Sequence, residues 1–287
     1  MLERRKFLTG LVGLSASGVG LGGLVACGKA EGQKMQEIKF DLGRDITETA
    51  RASGVPSFQT ETVDTSIIYS INALPAVIPA RYTRAGYEVA WKPLFAFTLW
   101  ADKSNNSIVD HVVLQLDSGF KTHEEAQAFV EQTIAQFQNG KWQRYYNPEW
   151  DTLLTGRSSF LNEAGGIESA PMTIDPAYKI LPAEWHALAK KTPTWRWVGD
   201  GVLASLGVSE LGNPERGLDY RMSLEFDLLD VKLRRDLENE ARELTQGDAK
   251  GWNSTAKRAE EKKANAMLNK RLEANAVKRG DSVVKKP

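Results

Sequence analysis

Residues 94–140 have the sequence LFAFTLWADKSNNSIVDHVVLQLDSGFKTHEEAQAFVEQTIAQFQNG, which predicts two strands and a helix. Two segments rich in β-branched and aromatic residues flank the turn-prone DKSNN of residues 102–106, a pattern typical of a β-hairpin. In the second strand, apolar side chains alternate with a mixed set, which indicates a sheet with one covered face. Thr122 is a candidate N-cap with Glu125 at the capping-box position, and apolar residues follow every three to four positions up to Gly140. The stretch therefore predicts a ββα unit.

A second stretch repeats this pattern further along the chain. Residues 195–198 and 202–208 are strand-like, residues 211–217 form a turn rich in Gly, Asn and Pro, and residues 220–229 alternate again. Residues 231–246 then predict a helix with one apolar face and a glycine at its end. We therefore expect a second ββα unit.

The two units share weak landmarks. Val113 and Ser223 lie 110 residues apart, and each stands 29 residues before a tryptophan. An internal duplication explains this spacing, and independent use of a common arrangement is the alternative. The fold class predicted is α+β, with two similar ββα units, an antiparallel sheet and a C-terminal polar helix. We place the first unit in residues 66–150 and the second in residues 151–250.

The segment between the units is irregular and unusually rich in aromatic residues. Tryptophan, tyrosine and arginine are enriched where proteins bind one another. Core packing is the alternative interpretation, because tryptophan buries a large area. The candidate partner-binding residues are Trp150, Trp185, Arg144 and Arg157.

Residues 1–26 have the layout of a signal peptide, with a basic start and an uncharged run over residues 7–26. The run ends in Leu24, Val25 and Ala26, directly before Cys27, and this sequence resembles the lipobox of bacterial lipoproteins. The resemblance implies that Cys27 is acylated, becomes the new N-terminus and binds the lipid bilayer. Two or more acyl chains give stable anchoring. Cys27 is then not a catalytic thiol.

The export route follows from a second resemblance. Arg4, Arg5, Phe7 and Leu8 match the core of the twin-arginine translocation motif, although the flanking residues depart from it. An ordinary secretion signal that carries paired arginines is the alternative. Gly28 follows the cysteine in place of the aspartate associated with inner-membrane retention. The resemblance therefore implies the periplasmic face of the outer membrane.

Two further segments are polar. Residues 27–65 have few large apolar side chains, which predicts a lipidated flexible tether. Residues 251–287 form a basic tail, expected to be a largely solvated helix. A basic arm that contacts anionic headgroups or an acidic partner is the other interpretation of this tail.

Composition limits the possible functions. Lys and Arg total 37, as do Asp and Glu, so a nucleic-acid partner is not expected. One cysteine excludes an internal disulfide, and three histidines offer little material for a metal site. No motif of the familiar hydrolases, zinc proteases or nucleotide-binding proteins is present, so His111, His123 and His186 are interpreted as structural or solvent-facing. We expect no catalytic residues, no cofactor and no metal, although a fold-assembled carboxylate pair stays open.

The head resembles periplasmic lipoproteins that act as immunity proteins against type VI secretion effectors, particularly lipase-like ones. The resemblance is carried by the lipobox, by THEEAQAFV leading to NGKW at residues 122–142, and by WVGDGVL at residues 197–203. It covers about residues 66–229 and leaves out the basic tail. It implies a protein partner, a secreted toxin that the head binds and blocks. The alternatives are an envelope-assembly or structural lipoprotein and an envelope enzyme with an unrecognised site.

Overall fold

The computed structural model describes residues 37–74, 78–92, 94–116, 119–145, 147, 152–168, 173–211 and 218–285. The predicted signal peptide (residues 1–26) and acylated Cys27 lie outside these residues, as do the export and lipobox residues Arg4, Arg5, Phe7, Leu8, Leu24, Val25 and Ala26, and Trp150. In chain order, the strands are β1 (Ile38–Phe40), β2 (Gln59–Val63), β3 (Ser66–Ile71), β4 (Ala80–Tyr82), β5 (Val89–Trp91), β6 (Ala96–Asp102), β7 (Val109–Gln115), β8 (Gln143–Arg144), β9 (Thr152–Leu154), β10 (Thr194–Gly199), β11 (Val202–Glu210), β12 (Tyr220–Leu228) and β13 (Val283–Lys285). The helices are α1 (Ile46–Ala52), α2 (His123–Asn139), α3 (Pro182–Ala189), α4 (Leu229–Ala249) and α5 (Ser254–Arg279).

An eight-stranded sheet in the order β2-β3-β6-β7-β12-β11-β10-β8 forms the centre of the fold. All of its neighbouring strands are antiparallel. The predicted α+β class with an antiparallel sheet is therefore confirmed. The two predicted hairpins are β6–β7 and β11–β12, and they join where β7 pairs with β12, with Leu114 opposite Leu224. Both predicted units thus belong to one sheet.

One face of this sheet is buried and the other is only partly covered. Leu99, Leu114, Leu224 and Phe226 are buried at alternate strand positions, as the alternation in the sequence predicts. The long helix α2 packs on this face, where Phe137 stacks on Trp197 with ring centroids 4.0 Å apart. The first unit therefore has the predicted order of two strands and a helix, and its helix contacts β10 of the second unit.

The helix α2 begins where the capping pattern places it. The Glu125 backbone N–H donates to Thr122 Oγ1 (3.2 Å), so Thr122 is the N-cap. The Glu125 carboxylate accepts the Lys121 N–H (2.7 Å) and so holds the chain that enters the helix. These bonds satisfy backbone donors that have no partner inside the helix.

The second unit differs from the expectation that its own helix covers its hairpin. Helix α4 follows β12 directly, but only Val231 and Gly247 of it are buried. The short helix α3, from the segment between the units, packs there instead: Trp185 stacks on Tyr220 of β12, and Leu188 is buried. The buried residues beside β12 thus come from α3, and α4 is exposed along most of its length.

The prediction that residues 27–65 form a flexible tether is wrong for residues 37–65. Strand β1 pairs in parallel with β4, which pairs with β5 in a second, three-stranded sheet. Ile38 and Phe40 are buried, and Phe40 contacts Phe97 and Phe226 of the main sheet with centroid distances of 5.5 and 5.4 Å. The few large apolar residues of this polar stretch are enough to anchor it in the core. Residues 27–36 lie outside the described part.

The C-terminal tail is a helix, as predicted, but its second half is docked. Leu272 and Ala276 of α5 are buried against Leu154 of β9, and β13 pairs with β9. The tail is therefore not solvated along its whole length. None of the helices within the described ranges has both the length and the apolar character that crossing a bilayer requires.

Candidate functional site

Two of the three histidines, which are 63 residues apart in the chain, lie next to each other in the fold. His123 is the first residue of α2 and His186 lies in α3; their ring centroids are 4.4 Å apart in an edge-to-face arrangement. Glu210, the last residue of β11, completes the cluster. One potential ligand atom from each of the three side chains lies within 4.8 Å of the others. Imidazole and carboxylate groups in such a set can bind a divalent transition metal.

The cluster lies at one end of the central strands of the main sheet, where β11 ends and β12 begins. Glu210 ends β11 and is directly opposite Tyr220, the first residue of β12. Helix α2 starts shortly after β7 ends, so its first turn lies near the same end. Helix α3 starts at Pro182, whose missing N–H costs nothing in the first turn, and carries His186 to this place. Three separate elements therefore contribute one side chain each.

The Glu210 carboxylate lacks a hydrogen bond at one oxygen. Glu210 Oε2 is 3.0 Å from His186 Nδ1, but the two groups are not aligned for a hydrogen bond, and Oε2 is buried without a donor. The Glu210 side chain is only 9% exposed. A buried carboxylate oxygen without a partner is costly, because it has lost its hydration. This oxygen is therefore available to a cation.

Tyr220 and Trp185 form a second layer behind the cluster. The Tyr220 hydroxyl is 2.8 Å from His123 Nδ1 and accepts the Trp185 indole N–H at 2.9 Å. Burial raises the pKa of Tyr220 to about 12, although the Trp185 hydrogen bond opposes this effect, so the phenol stays neutral at physiological pH. Because Nδ1 of His123 faces the tyrosine, Nε2 is the nitrogen that this histidine can offer to an ion.

The cluster is open to solvent on one side. The His186 side chain is 47% exposed, whereas Glu210 and Trp185 lie beneath it. Leu181, which precedes α3, is also exposed. An ion from solution can therefore reach the three side chains, and so can a further ligand.

The prediction that Trp185 and Arg144 contact a partner at the surface is wrong, because both side chains lie inside the fold. Trp185 is 1% exposed, so it contributes to the core and to the second layer instead. The Arg144 guanidinium lies inside the fold, where it donates to the Leu154 carbonyl at 2.9 Å and to the Thr173 carbonyl. Both residues hold the aromatic segment against the sheet.

The structure describes Arg157 but not Trp150, the other two residues predicted to bind a partner. Arg157 is half exposed and forms an ion pair with Glu184 of α3, so it is free to contact a partner on one side only. Trp150 lies outside the described residues. The core interpretation of the aromatic residues therefore holds for Trp185, and partner contact by Arg157 stays a prediction.

A long helical hairpin, formed by α4 and α5 over residues 229–279, is the most exposed part of the described chain. Near the sheet, Arg235 of α4 pairs with the buried Asp110 of β7 at 2.9 Å. Residues 234–238 and 259–264 are exposed without interruption. Large apolar side chains are also exposed on it: Leu237 by 66%, Trp252 by 58% and Met267 by 49%.

The two helices are held together by polar contacts more than by apolar burial. Glu240 of α4 forms ion pairs with Arg258 at 2.6 Å and with Lys262 at 3.4 Å. Gly247 lies against Ser254, where the absence of a side chain lets the helices approach closely. Only Val231 and Gly247 of α4 are buried, and the buried residues of α5 are confined to its second half. The hairpin therefore presents a surface that the rest of the described chain leaves uncovered.

The sequence does not point to Glu210, and it gives no sign that His123 and His186 are neighbours. No local spacing joins residues from three distant segments, so no motif exists to find. The available signal was the position of His123 directly after a helix N-cap that follows a strand end, which places it at an edge of the sheet. The strand order needed to identify the same edge for Glu210 was not predictable.

Comparisons with known proteins add no relative. No protein-family model matches the chain, and no curated protein or solved structure is significantly similar to it.

Proposed function

We propose that this chain is a lipoprotein of the bacterial envelope, anchored by acylated Cys27 at the periplasmic face of the outer membrane, whose head binds another protein. The partner we propose is a secreted antibacterial toxin of the lipase-like type VI class, which the head neutralises. The observation that carries the proposal of protein binding is the exposed helical hairpin. The lipobox supports the location.

The exposed hairpin supports protein binding because packing within the chain does not account for it. Helices gain most of their stability in proteins from burying an apolar face, and short isolated helices are marginal in water. Most residues of the hairpin are exposed, although Arg235, Leu272 and Ala276 contact the rest of the chain. Its surface carries the large apolar side chains of Leu237, Trp252 and Met267. Aromatic and methionine side chains are enriched at the centres of protein interfaces. A partner that covers them would supply the missing burial.

The charge of the hairpin supports an acidic partner surface. Helix α5 contains eight basic and three acidic residues, whereas α4 contains four basic and six acidic ones, so the basic excess of the hairpin lies on α5. Complementary charge accelerates encounter and excludes partners of the same sign. An anchor in the outer membrane would place such a head beside the bilayer that a lipase-like toxin attacks.

The decisive experiment is a competition assay between strains. A strain lacking this gene is grown in contact with its parent, and with a parent whose type VI secretion is disabled. We expect the deletion strain to be killed by the first competitor and not by the second, and the intact gene to restore survival. Equal survival against both competitors would contradict the immunity role. An envelope defect of the deletion strain grown alone would support the scaffold alternative.

Surface variants test the role of the hairpin. Leu237→Glu, Trp252→Ala and Met267→Glu change exposed side chains, so each should alter the free energy of unfolding by less than about 0.5 kcal/mol. We expect the triple variant to lose protection. The matched control combines Val63→Glu and Phe95→Glu, which change exposed apolar residues outside the hairpin and should keep protection. If the control variant lost protection and the triple variant kept it, the binding surface would lie outside the hairpin.

A further inference from the structure

We propose that His123, His186 and Glu210 bind one divalent transition-metal ion of the zinc class. This inference is independent of the proposed toxin binding, because it rests on a cluster at the sheet edge and not on the helical hairpin. The site differs from the sequence expectation that the chain binds no metal.

The distances fit a metal site after small side-chain movements. Zinc binds imidazole nitrogen and carboxylate oxygen at about 2.0–2.2 Å, so two ligands of a tetrahedral ion are about 3.3 Å apart. Glu210 Oε2 and His186 Nδ1 are 3.0 Å apart, and all three candidate ligand atoms lie within 4.8 Å of one another. The half-exposed His186 side chain has room to adjust.

The state of Glu210 is that of a cation ligand: its neighbour His186 forms an ion pair with it only when the imidazole is protonated, and a neutral His186 leaves the carboxylate charge without a partner. Its side chain is almost fully buried, and Oε2 is close to His186 Nδ1 without the alignment of a hydrogen bond. Two ligands of one ion have this relation: they are close to each other, but both point to a third atom. A bound cation would supply the partner that the buried oxygen lacks.

The second layer orients His123 for metal binding. Ligand histidines usually donate the other ring N–H to a neighbouring acceptor, which fixes the ring and the tautomer. Tyr220 Oη is 2.8 Å from His123 Nδ1 and has a second lone pair for the Trp185 N–H. With Nδ1–H donating to Tyr220, Nε2 carries the lone pair and can bind the ion. The Trp185–Tyr220–His123 chain therefore acts as the positioning layer.

The ligand set selects the class of ion and leaves one position open. Two imidazoles and one carboxylate suit zinc and its neighbours in the transition series, whereas calcium and magnesium prefer sites made entirely of oxygen ligands. Three protein ligands leave a tetrahedral ion one further position. Since His186 is exposed, this position faces solvent, where water or a side chain of a partner can bind.

Zinc titration of the full lipoprotein, purified in detergent and treated with a chelator, tests the site. We expect one zinc ion per chain by calorimetry and a higher midpoint of thermal unfolding with zinc. Cobalt substitution should give visible d–d bands of a nitrogen- and oxygen-ligated ion without a thiolate charge-transfer band, because acylated Cys27 is not a ligand. Binding of several weak ions per chain, no saturable binding, or a thiolate band would overturn the proposal.

Variants assign the binding to these residues. His186→Ala and Glu210→Gln should each weaken zinc binding at least tenfold. Tyr220→Phe keeps the ring and should weaken it by about 10- to 100-fold, as removal of an outer partner does. His111→Ala is the matched control, since the third histidine lies elsewhere on the sheet, and it should bind zinc as the native chain does. Unchanged affinity in His186→Ala, whose side chain is 47% exposed, would refute the site, as would loss of binding in His111→Ala.

Discussion

His111 and Asp227 form an ion pair between β7 and β12, on the partly covered face of the sheet. His111 Nδ1 is 2.8 Å from Asp227 Oδ1, and the two residues are directly opposite in the strand register. Burial of the imidazole lowers its pKa. The hydrogen bond and charge of Asp227 have the larger combined effect, and Glu225 and Asp110 add to it, so the pKa of His111 is raised above its usual value.

This raised pKa makes the contribution of the pair to stability depend on pH. The folded protein binds the His111 proton more tightly than the unfolded chain does, so the stabilisation is fully present below the unfolded-state pKa of about 6.5. It is lost as the pH rises through the higher folded-state pKa. We expect Asp227→Asn to lower the free energy of unfolding by about 1–2 kcal/mol near pH 6, and by less at alkaline pH. Urea unfolding at several pH values measures this difference.

A neighbouring substitution provides the control for this pH dependence. Thr98 lies on β6 opposite Val113 of β7, on the same face of the sheet as His111, and neither residue titrates. Thr98→Ala should change the free energy of unfolding by the same amount at every pH. If the cost of Asp227→Asn were equally constant, the raised pKa of His111 would not account for the interaction.

The sequence could place His111 on a face but could not find its partner. Strict alternation along residues 111–116 assigned it to the mixed side of the sheet, and the structure has it there. Asp227 is 116 residues further on, and its position opposite His111 depends on the pairing of β7 with β12. That pairing results from the packing of both hairpins against one core, which no local pattern contains.

At the scale of elements, Asp281 fastens the end of the chain to the segment after β9. The Asp281 carboxylate accepts the Ser158 N–H at 2.8 Å, and Thr155 N–H donates to the Ser282 carbonyl at 3.0 Å. Gly156 has a positive φ of 59°, and a Cβ there would overlap the Asp281 carboxylate. The docking of the C-terminal helix therefore depends on a glycine at this position.

We expect Gly156→Ala to destabilise the fold for two reasons. A positive φ costs a residue with a Cβ about 1–2 kcal/mol. Displacing Asp281 also leaves the buried Ser158 N–H without its acceptor, which adds about 1–3 kcal/mol. Gly43→Ala is the matched control, because Gly43 has a φ of 88° with nothing within 4 Å of the added Cβ. Urea unfolding should show a larger loss for Gly156→Ala.

A double mutant separates these two causes. If the added methyl acts by displacing Asp281, then Gly156→Ala combined with Asp281→Ala should cost less than the sum of the two single variants. Full additivity would mean that the methyl acts through the backbone alone. Equal losses for Gly156→Ala and Gly43→Ala would lead to the same conclusion.

Two elements show why polar segments were misjudged from sequence. Leu272 and Ala276 are two of the few apolar residues of the basic tail, and their partner Leu154 lies in a segment without regular periodicity. Ile38 and Phe40 are spaced as in a strand, but two residues in a polar stretch do not outweigh its composition. In both cases the burial comes from distant residues, whereas sequence patterns report only local ones.

At the scale of the whole molecule, the two units are equivalent in their strands and different in their helices. Both hairpins were predictable because each carries its own alternation and turn. The order of the strands in the sheet was not predictable from the sequence. It was also not predictable that α3, and not α4, packs on the second hairpin. Trp185 of α3 stacks on Tyr220 at the start of β12, whereas α4 leaves from the other end of that strand. As a result, α4 is left free to form the hairpin with α5.

This division predicts an uneven distribution of stability, which hydrogen exchange can measure. Segments with few buried contacts open locally at a lower free energy than the core does. We therefore expect the amides of residues 234–249 and 254–267 to exchange at least about tenfold faster than those of β7 and β12. Helix α2 is the matched control, since it is also a long helix but buries one face, and its inward amides should be protected. A protein partner should slow exchange in the hairpin selectively. Protection of the free hairpin equal to that of α2 would mean that it is stable by itself, and the argument that it needs a partner would fail.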